Sequence, residues 1–358
     1  MKVLQLIDSL DAGGAERVAV NYANSLANLI EASYLCSTRK EGLLKESLSN
    51  HVAYLFLNRK STFDFKAIKK LHVFVKINKI NIVHAHSSSF FIASIIKILN
   101  PKIALIWHDH YGKSEFLNDR PKFVLTWCSK LFDHIVTVNT LLQNWSEEIL
   151  GVKSVSYLPN FATISTIQPI TQLQGKEGRR IVCLANLRAQ KDHITLLEAF
   201  KTIKDKYPEW TMHLIGQDFN DAYSLSVKTF IKKNNLESYV FIYGSCSDVF
   251  NILSQCTIGV LASKSEGLPL ALLEYGLAKL PVVATNVGDC SKVISNDEEG
   301  FLISSENHKV LAEALLIYIN DLDLRVQVGH NLHLKVLSTF SQAKAIETLI
   351  EIYKTHQK

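Results

Sequence analysis

The sequence predicts an α/β protein built as two Rossmann-like domains facing a cleft. Three observations predict it. Short β-branched apolar runs alternate with helical-period segments along the whole chain, the pattern of parallel strands joined by helical crossovers and covered on both faces. The alternation stops once, across Thr163–Gly178, where Pro169, Gly175 and Gly178 stand among Thr and Gln with no apolar period. It then restarts, and 358 residues is the length of two domains at roughly 150 residues each.

In the first half the expected strands are Val3–Ile7, Ala32–Cys36, Ala53–Leu57, Ile82–Ala85, Ile103–Trp107 and Ile135–Val138. Ala15–Asn28, Phe65–Asn78 and Thr140–Ile149 read as helices between them. In the second half the strands are Ile181–Leu184, Met212–Ile215, Val240–Tyr243, Thr257–Leu261, Val282–Ala284 and Phe301–Ile303. Helices are expected at Thr195–Tyr207, Ala222–Asn234, Val249–Ser254, Leu270–Lys279 and Val310–Ile319, with a long helical pattern over Ser341–His356. The expected domains are 1–165 and 166–340.

Composition narrows the class. Hydrophobic residues at 47% and charged residues at 20% give enough apolar material for two cores, which excludes a disordered chain. The apolar run after Lys2 ends at Asp8, too short for a secretory leader, and the longest apolar run, Phe90–Leu99, is half of the ~20 residues a membrane span needs. A cytoplasmic protein is expected. Six cysteines with no CxxC pair read as free thiols. The net charge of +5 is uneven: residues 1–170 hold +6 and residues 171–358 hold −1. A basic first half suits an anionic surface or ligand. No dense basic cluster with interleaved aromatics is present, so nucleic acid is not an expected partner.

In open parallel sheets, ligands bind beyond the carboxyl ends of the strands, and four motifs fall there. Ser265-Glu266-Gly267-Leu268-Pro269-Leu270 leads into a helix that carries Glu274. Pro269 suits a first helical turn, whose free N–H groups and dipole favour an anion. Glu274 can accept hydrogen bonds from a ribose, and an all-helical spacing of eight residues would set Glu266 ~12 Å away. Arg188 and Lys191, after the first strand of the second domain, can bracket a diphosphate. Gly13 and Gly14 follow the first strand of the chain and allow close approach of backbone to a phosphate or sugar, although the pattern is not GxGxxG. Trp107-His108-Asp109-His110 supplies two imidazoles for acid–base or hydrogen-bond work, with no third metal ligand at convincing spacing. His84 and His86 share one strand face, and His86, nearer the strand end, is the better site candidate.

With these motifs the sequence resembles family 4 of the retaining GT-B glycosyltransferases over essentially its whole length. The Gly13-Gly14-Ala15-Glu16-Arg17 opening, Val83-His84-Ala85-His86, Tyr157-Leu158-Pro159-Asn160 and the Glu266/Glu274 pair stand in family order. The resemblance implies that Glu274 holds the donor ribose and Glu266 contacts the donor sugar within Gly267-Leu268-Pro269. It implies that Arg188 and Lys191 neutralise the diphosphate, with Gly14 helping from the other domain, and that His108 lies near the reacting sugar. Gly13, His86 and His110 are the acceptor-side candidates. It also implies that helix 341–358 packs back on the first domain. Three positions depart from the pattern: Ala185-Asn186-Leu187 for Gly-Arg-Leu, which displaces the arginine to Arg188; Phe161 for the usual glycine after Asn160; and Asp289 for the glycine after Gly288.

The implied reaction is transfer of a sugar from a nucleotide-diphosphate donor to an acceptor hydroxyl, with retention. No Asp-x-Asp follows a strand to hold a metal in the manner of metal-dependent transferases, so no metal and no cofactor is expected. Closure of the two domains would exclude water. The acceptor would be a carbohydrate or a lipid-linked carbohydrate in bacterial surface polysaccharide or lipopolysaccharide synthesis. The alternatives are a nucleotide-sugar 2-epimerase of similar fold and a non-catalytic nucleotide-sugar binder. Phe65–Asn78 interleaves Lys66, Lys69, Lys70 and Lys76 with Ile68, Leu71, Phe74 and Val75, which adds a peripheral contact of the basic N-terminal domain with the inner membrane face to the expectations.

Overall fold

The computed structural model describes residues 1–164 and 168–357, arranged as two compact units. The first comprises Met1–Phe161 and Gln342–Lys358, the second Ala162–Ser341. The domain boundary expected at 165/166 lies outside the described residues. The later part of the expected linker is not free: the Ile170 and Thr171 amides donate to Asp248 at 2.8 and 2.7 Å, and Arg180 donates to the carbonyls of Leu173, Gln174 and Gly175.

The first unit runs β1 (Lys2–Ser9), α1 (Gly14–Leu26), β2 (Ala32–Lys40), β3 (Val52–Phe56), α2 (Phe65–Ile77), β4 (Ile82–His86), α3 (Phe90–Leu99), β5 (Ala104–Asp109), α4 (Phe123–Ser129), β6 (His134–Thr137), α5 (Thr140–Leu150) and β7 (Val155–Tyr157). Its seven strands are parallel in the order β3-β2-β1-β4-β5-β6-β7. Strands buried on both faces are apolar at nearly every position, which is why Val3–Ile7 of β1 reads as a near-continuous apolar run, interrupted by the buried Gln5, rather than an alternation. Leu4, Leu6, Val83, Ala85, Leu105 and Trp107 meet helices α2–α5 on one face. The other face meets α1. It also meets the last helix of the chain, Gln342–His356, which buries Ala345, Ile346, Leu349 and Tyr353. Asp64 and Asn139 cap α2 and α5, and Gly151 ends α5 at φ 65°.

The second unit runs β8 (Arg180–Leu184), α6 (His193–Lys206), β9 (Thr211–Ile215), α7 (Ala222–Lys233), β10 (Val240–Gly244), α8 (Val249–Ser254), β11 (Ile258–Leu261), α9 (Leu270–Leu277), β12 (Val282–Thr285), α10 (Cys290–Val293), β13 (Phe301–Ile303), α11 (His308–Asn320) and α12 (Leu322–Thr339); the helix in the first unit is then α13 (Gln342–His356). Its six strands are parallel in the order β10-β9-β8-β11-β12-β13. Helix α12, which the apolar period does not reveal, lies close on α9. A Cβ at Gly329 would stand 2.2 Å from the Lys279 carbonyl oxygen, so glycine permits that approach. In both sheets the strand order reverses once, at β1/β4 and at β8/β11, and the carboxyl ends there are the places a doubly wound sheet offers a ligand.

Candidate active site

At the β8/β11 reversal two loops meet. The loop after β8 carries Arg188 and Lys191; the loop after β11 carries Ser263–Pro269. The Lys264 amide donates to the Gln190 carbonyl at 2.7 Å and joins them. Glu266 is 5% exposed and accepts from Ser263 Oγ at 2.6 Å and from Lys191 Nζ at 2.5 Å. The buried carboxylate is therefore matched by a cation that is itself 21% exposed at the side chain. Asp192, in the left-handed region at φ 48°, caps α6 through Thr195 and so fixes the loop just beyond Lys191.

The rest of the motif is held from below. Gly288 sits at φ +54°, where a Cβ would come within 2.3 Å of the Glu266 carbonyl oxygen, and the Asp289 amide donates to Gly267 at 2.8 Å. Thr285 Oγ1 donates to the Ser263 carbonyl at 2.6 Å. Tyr275, fully buried, accepts from the Leu184 amide at 2.7 Å, and its ring passes over Gly259, where a Cβ would stand at 2.8 Å. Leu268 is buried and Pro269 is the residue preceding α9, with ψ 121°, rather than its first helical residue. Residues 266–269 are not helical, so the all-helical ~12 Å spacing to Glu274 does not apply. Glu274 lies in α9, 7% exposed. Arg188 is exposed and its guanidinium lies 4.3 Å over the Phe219 ring, in the loop after β9, so it is not part of the Lys191–Glu266 pair.

In the first unit, Gly13 precedes α1 and Gly14 opens it; a Cβ at Gly14 would meet nothing within 4 Å. Packing does not require glycine at position 14. Gly42 is the glycine that packing does require, since a Cβ there would stand 2.4 Å from the Leu10 carbonyl oxygen.

The histidines form one cluster. Strand β5 extends two residues beyond its expected end, so His108 and Asp109 belong to the strand rather than to a loop. His86 pairs in register with His108, and His84 lies one level back on the same face. Tyr22 of α1 covers them, with ring centroids 5.9, 6.3 and 5.8 Å from His84, His86 and His108. His84 Nδ1 lies 2.6 Å from Tyr353 Oη of α13, Gln5 Nε2 donates to the same oxygen at 3.0 Å, and Gln5 Oε1 is 2.7 Å from His86 Nε2. His86 Nδ1 then meets His110 Nε2 at 3.0 Å. Burial holds His84, His86 and His108 well below the ordinary imidazole value and pushes His110 down to about 3, so all four are neutral at neutral pH. His108 is fully buried and neither of its nitrogens has a protein partner, while His110, just past the strand, is half-buried. Asp109 is a clamp: Arg120 donates to both its oxygens at 2.6 and 2.8 Å.

The sequence offers no third metal ligand beside His108 and His110; the structure groups His108 with His84 and His86 instead. His84, His86 and His108 present one nitrogen each within 4.8 Å, because adjacent parallel strands put positions far apart in sequence side by side. Both His86 nitrogens are already engaged by Gln5 and His110, which leaves two imidazoles with free nitrogens where a closed site draws on three or four ligands. Gln5, Tyr22 and Tyr353 carry no motif, and only the fold discloses them.

Two parallel α/β units, the second with a buried carboxylate and lysine at its strand-order reversal, define the architecture of a GT-B glycosyltransferase. Residues 12–165 match the family described as Glycosyltransferase Family 4, and residues 167–333 match Glycosyl transferases group 1. The chain belongs to this family and is a glycosyltransferase of the hexosyltransferase type. It is 26% identical to an uncharacterized glycosyltransferase of Haemophilus influenzae, over 96% of each chain. It is 24% identical to the Escherichia coli UDP-Gal:alpha-D-GlcNAc-diphosphoundecaprenol alpha-1,3-galactosyltransferase, over 95% of this chain and 93% of that one. Among solved structures, Anabaena HepE in complex with UDP-glucose superposes with a TM-score of 0.80 at 16% identity, over 99% of this chain and 100% of that one.

Proposed function

We propose that the protein transfers a sugar, with retention of anomeric configuration, from a nucleoside-diphosphate sugar to a hydroxyl of a carbohydrate or lipid-linked carbohydrate acceptor. The observation that carries this reading is the Lys191–Glu266 pair at the β8/β11 carboxyl ends, with Glu274 behind it on α9. The leaving group is an anionic nucleoside diphosphate, and stabilising its growing charge is the main catalytic task. Lys191 faces that charge, Arg188 can swing from the exposed face of Phe219 to meet it, and the N-terminus of α9 adds its dipole. Glu266 takes the donor-sugar hydroxyls, Glu274 the ribose, and Gly267, Leu268 and Pro269 supply backbone. His108 acts near the reacting sugar, and His86, His110 and Gly13 serve the acceptor side. With protein cations in these roles, neither a metal nor a cofactor is required.

The E. coli relative uses UDP-galactose and a diphosphoundecaprenol-linked acceptor, and other relatives act in O-antigen and capsular polysaccharide synthesis. A UDP-sugar donor, an acceptor from surface polysaccharide or lipopolysaccharide assembly, and work at the inner membrane face follow as parts of the proposal. Among the described residues, no helix is long and apolar enough to cross a membrane.

The test is a thermal-shift screen against UDP-, GDP-, ADP- and dTDP-sugars without added metal. Donor at about 100 times its Kd should add roughly 2.7 kcal/mol of stability. A shift confined to one nucleotide class, lost in Glu274→Ala and in Lys191→Ala, is expected. A shift that survives both substitutions refutes the site, and donor consumed to an isomer with no acceptor present would mark an epimerase instead.

A further inference from the structure

The imidazoles of the first unit belong to a hydrogen-bond chain that has a direction. His110 Nε2 meets His86 Nδ1 at 3.0 Å, and His86 Nε2 meets Gln5 Oε1 at 2.7 Å. Gln5 Nε2 meets Tyr353 Oη at 3.0 Å, and Tyr353 Oη meets His84 Nδ1 at 2.6 Å. A neutral imidazole carries one proton, so each link fixes the next. The Gln5 amide sets the sense. Its oxygen can only accept, so His86 holds its proton on Nε2 and presents a bare Nδ1. His110 must then donate from Nε2, which leaves its own Nδ1 without a proton. At the far end Tyr353 Oη accepts from Gln5 and gives its proton to His84 Nδ1.

One other arrangement would satisfy the same contacts, with the Gln5 amide turned over and every donor reversed. The distances oppose it. It would set two nitrogens 2.7 Å apart and stretch a hydroxyl-to-carbonyl bond to 3.0 Å, whereas 3.0 Å is ordinary for an amide N–H on oxygen. The unmatched groups then fall at the two ends of the chain. His84 Nε2 keeps a proton with no acceptor, buried under Tyr22. His110 Nδ1 keeps a lone pair on a half-buried residue, and no group among the described residues bonds to it.

That lone pair is held in place. The His110 ring stacks on His108 with centroids 4.0 Å apart, and Asp109 fixes the flanking backbone by accepting from the Tyr111 amide at 3.1 Å. It stands at the carboxyl end of β5, next to β4 and the β1/β4 reversal, where a doubly wound sheet offers a ligand.

We propose that His110 Nδ1 accepts a hydrogen bond from a hydroxyl of the acceptor sugar, and that Gln5 and Tyr353 are positioning residues that hold His110 in the tautomer able to do so. A bare nitrogen offers nothing to a phosphate, which only accepts, and suits a hydroxyl, which donates. Burial pushes His110 down to about 3, so it orients the hydroxyl without keeping its proton. The inference deepens the transferase reading and rests on it for the nature of the ligand.

The test uses no nucleotide sugar, so its failure is distinct from failure of the transferase reading. The full chain is isotopically labelled at the histidine nitrogens, and His110 is assigned by the loss of its resonances in His110→Asn. Long-range proton–nitrogen spectra near neutral pH should show His110 protonated on Nε2 only. Gln5→Met keeps the volume, removes both links and should leave His110 a mixture of tautomers. Gln5→Glu, buried and therefore protonated, presents one O–H and one carbonyl in the same places and should restore the Nε2 tautomer. A merely structural Gln5 would be replaced by methionine with no change of tautomer. The wild type is then titrated with the methyl glycosides of galactose, glucose and N-acetylglucosamine up to about 0.1 M, enough to fill a millimolar site. At least one should shift the His110 Nδ1 resonance, and Gln5→Met should bind it about tenfold more weakly, the loss expected for one hydrogen bond. A His110 proton on Nδ1 in the wild type overturns the proposal. So does an unchanged His110 tautomer in Gln5→Met, or the absence of any Nδ1 shift with all of these sugars. If Gln5→Met does not fold, Tyr353→Phe, which frees the Gln5 amide to turn over, supplies the same comparison.

Discussion

Glu266→Gln should separate binding of the leaving group from transfer of the sugar. Glu266 is 5% exposed and bonded to Ser263 Oγ at 2.6 Å and Lys191 Nζ at 2.5 Å. The substitution keeps the shape of the side chain and an oxygen for Ser263, and it removes one negative charge. Lys191 then keeps its full charge for an incoming diphosphate. A carboxylate ~6 Å from a phosphate charge repels it by about 3 kcal/mol at an effective dielectric of about 20. The partial exposure of Lys191 and ordinary salt reduce this to roughly 1–2 kcal/mol, a factor of about 5 to 30 in Kd. The nucleoside diphosphate selected by the donor screen should therefore bind Glu266→Gln about tenfold tighter than wild type by calorimetry. Transfer should move the other way and fall by about 100-fold, because a neutral amide holds the donor-sugar hydroxyls more weakly in the transition state. Equal or weaker nucleoside-diphosphate binding in the variant, at an unchanged melting temperature, would refute the placing of Glu266 beside the diphosphate.

Three further outcomes follow from the same geometry. Gly288→Ala should cost roughly 2–4 kcal/mol in urea unfolding, since its φ of +54° and the 2.3 Å approach to the Glu266 carbonyl exclude a Cβ, whereas Gly14→Ala, with nothing within 4 Å, should leave stability within about 0.5 kcal/mol. Tyr353→Phe strips the shared partner from His84 and Gln5 and should lower stability by about 1–3 kcal/mol; an unchanged urea midpoint would show that this buried chain contributes nothing. Burial lowers the folded-state pKa of His84, His86 and His108, so the unfolded chain binds more protons as pH falls below its own value of ~6.5. The stability they contribute is complete above that value and is lost progressively on acidification below it. The urea midpoint should drop steeply between about pH 6.5 and 5, and a flat profile would mean that the imidazoles charge without unfolding the core.

The sequence is most legible where structure is local. Strands β8 to β13 all fall within a residue or two of their apolar runs, because a doubly buried strand is apolar at most positions and stops where that pattern ceases. Helix α12 escapes for the opposite reason. Its residues mix Arg325, His330 and His333 among leucines and valines, and Gly329 weakens the pattern while serving close contact with Lys279. Strand β5 runs on through His108 and Asp109 although polar residues usually end a buried strand. Arg120 neutralises the one, and the layer of Tyr22, His84 and His86 accommodates the other.

The same distinction separates the candidate residues of the second unit from those of the first. Ser263, Glu266, Pro269 and Glu274 lie within twelve residues, so one loop and one helix turn place them, and spacing alone suggests a role. The cluster around His108 is assembled from Gln5, Tyr22, His84, His86, His110 and Tyr353, and one of its hydrogen bonds spans 348 positions. No periodicity encodes such a contact. It exists because strand order sets β1 beside β4 and β4 beside β5, and because α13 returns to cover that face. Tyr353 therefore ties the last helix to the neutral imidazoles, so loss of α13 should disturb the tautomers of the histidine cluster as well as the core. Truncation before Gln342 is expected to shift the imidazole resonances of His84 and His86 in the first unit, while donor-induced stabilisation of the second unit persists. Unshifted imidazole resonances in a folded truncated chain would show that the cluster is organised by the sheet alone.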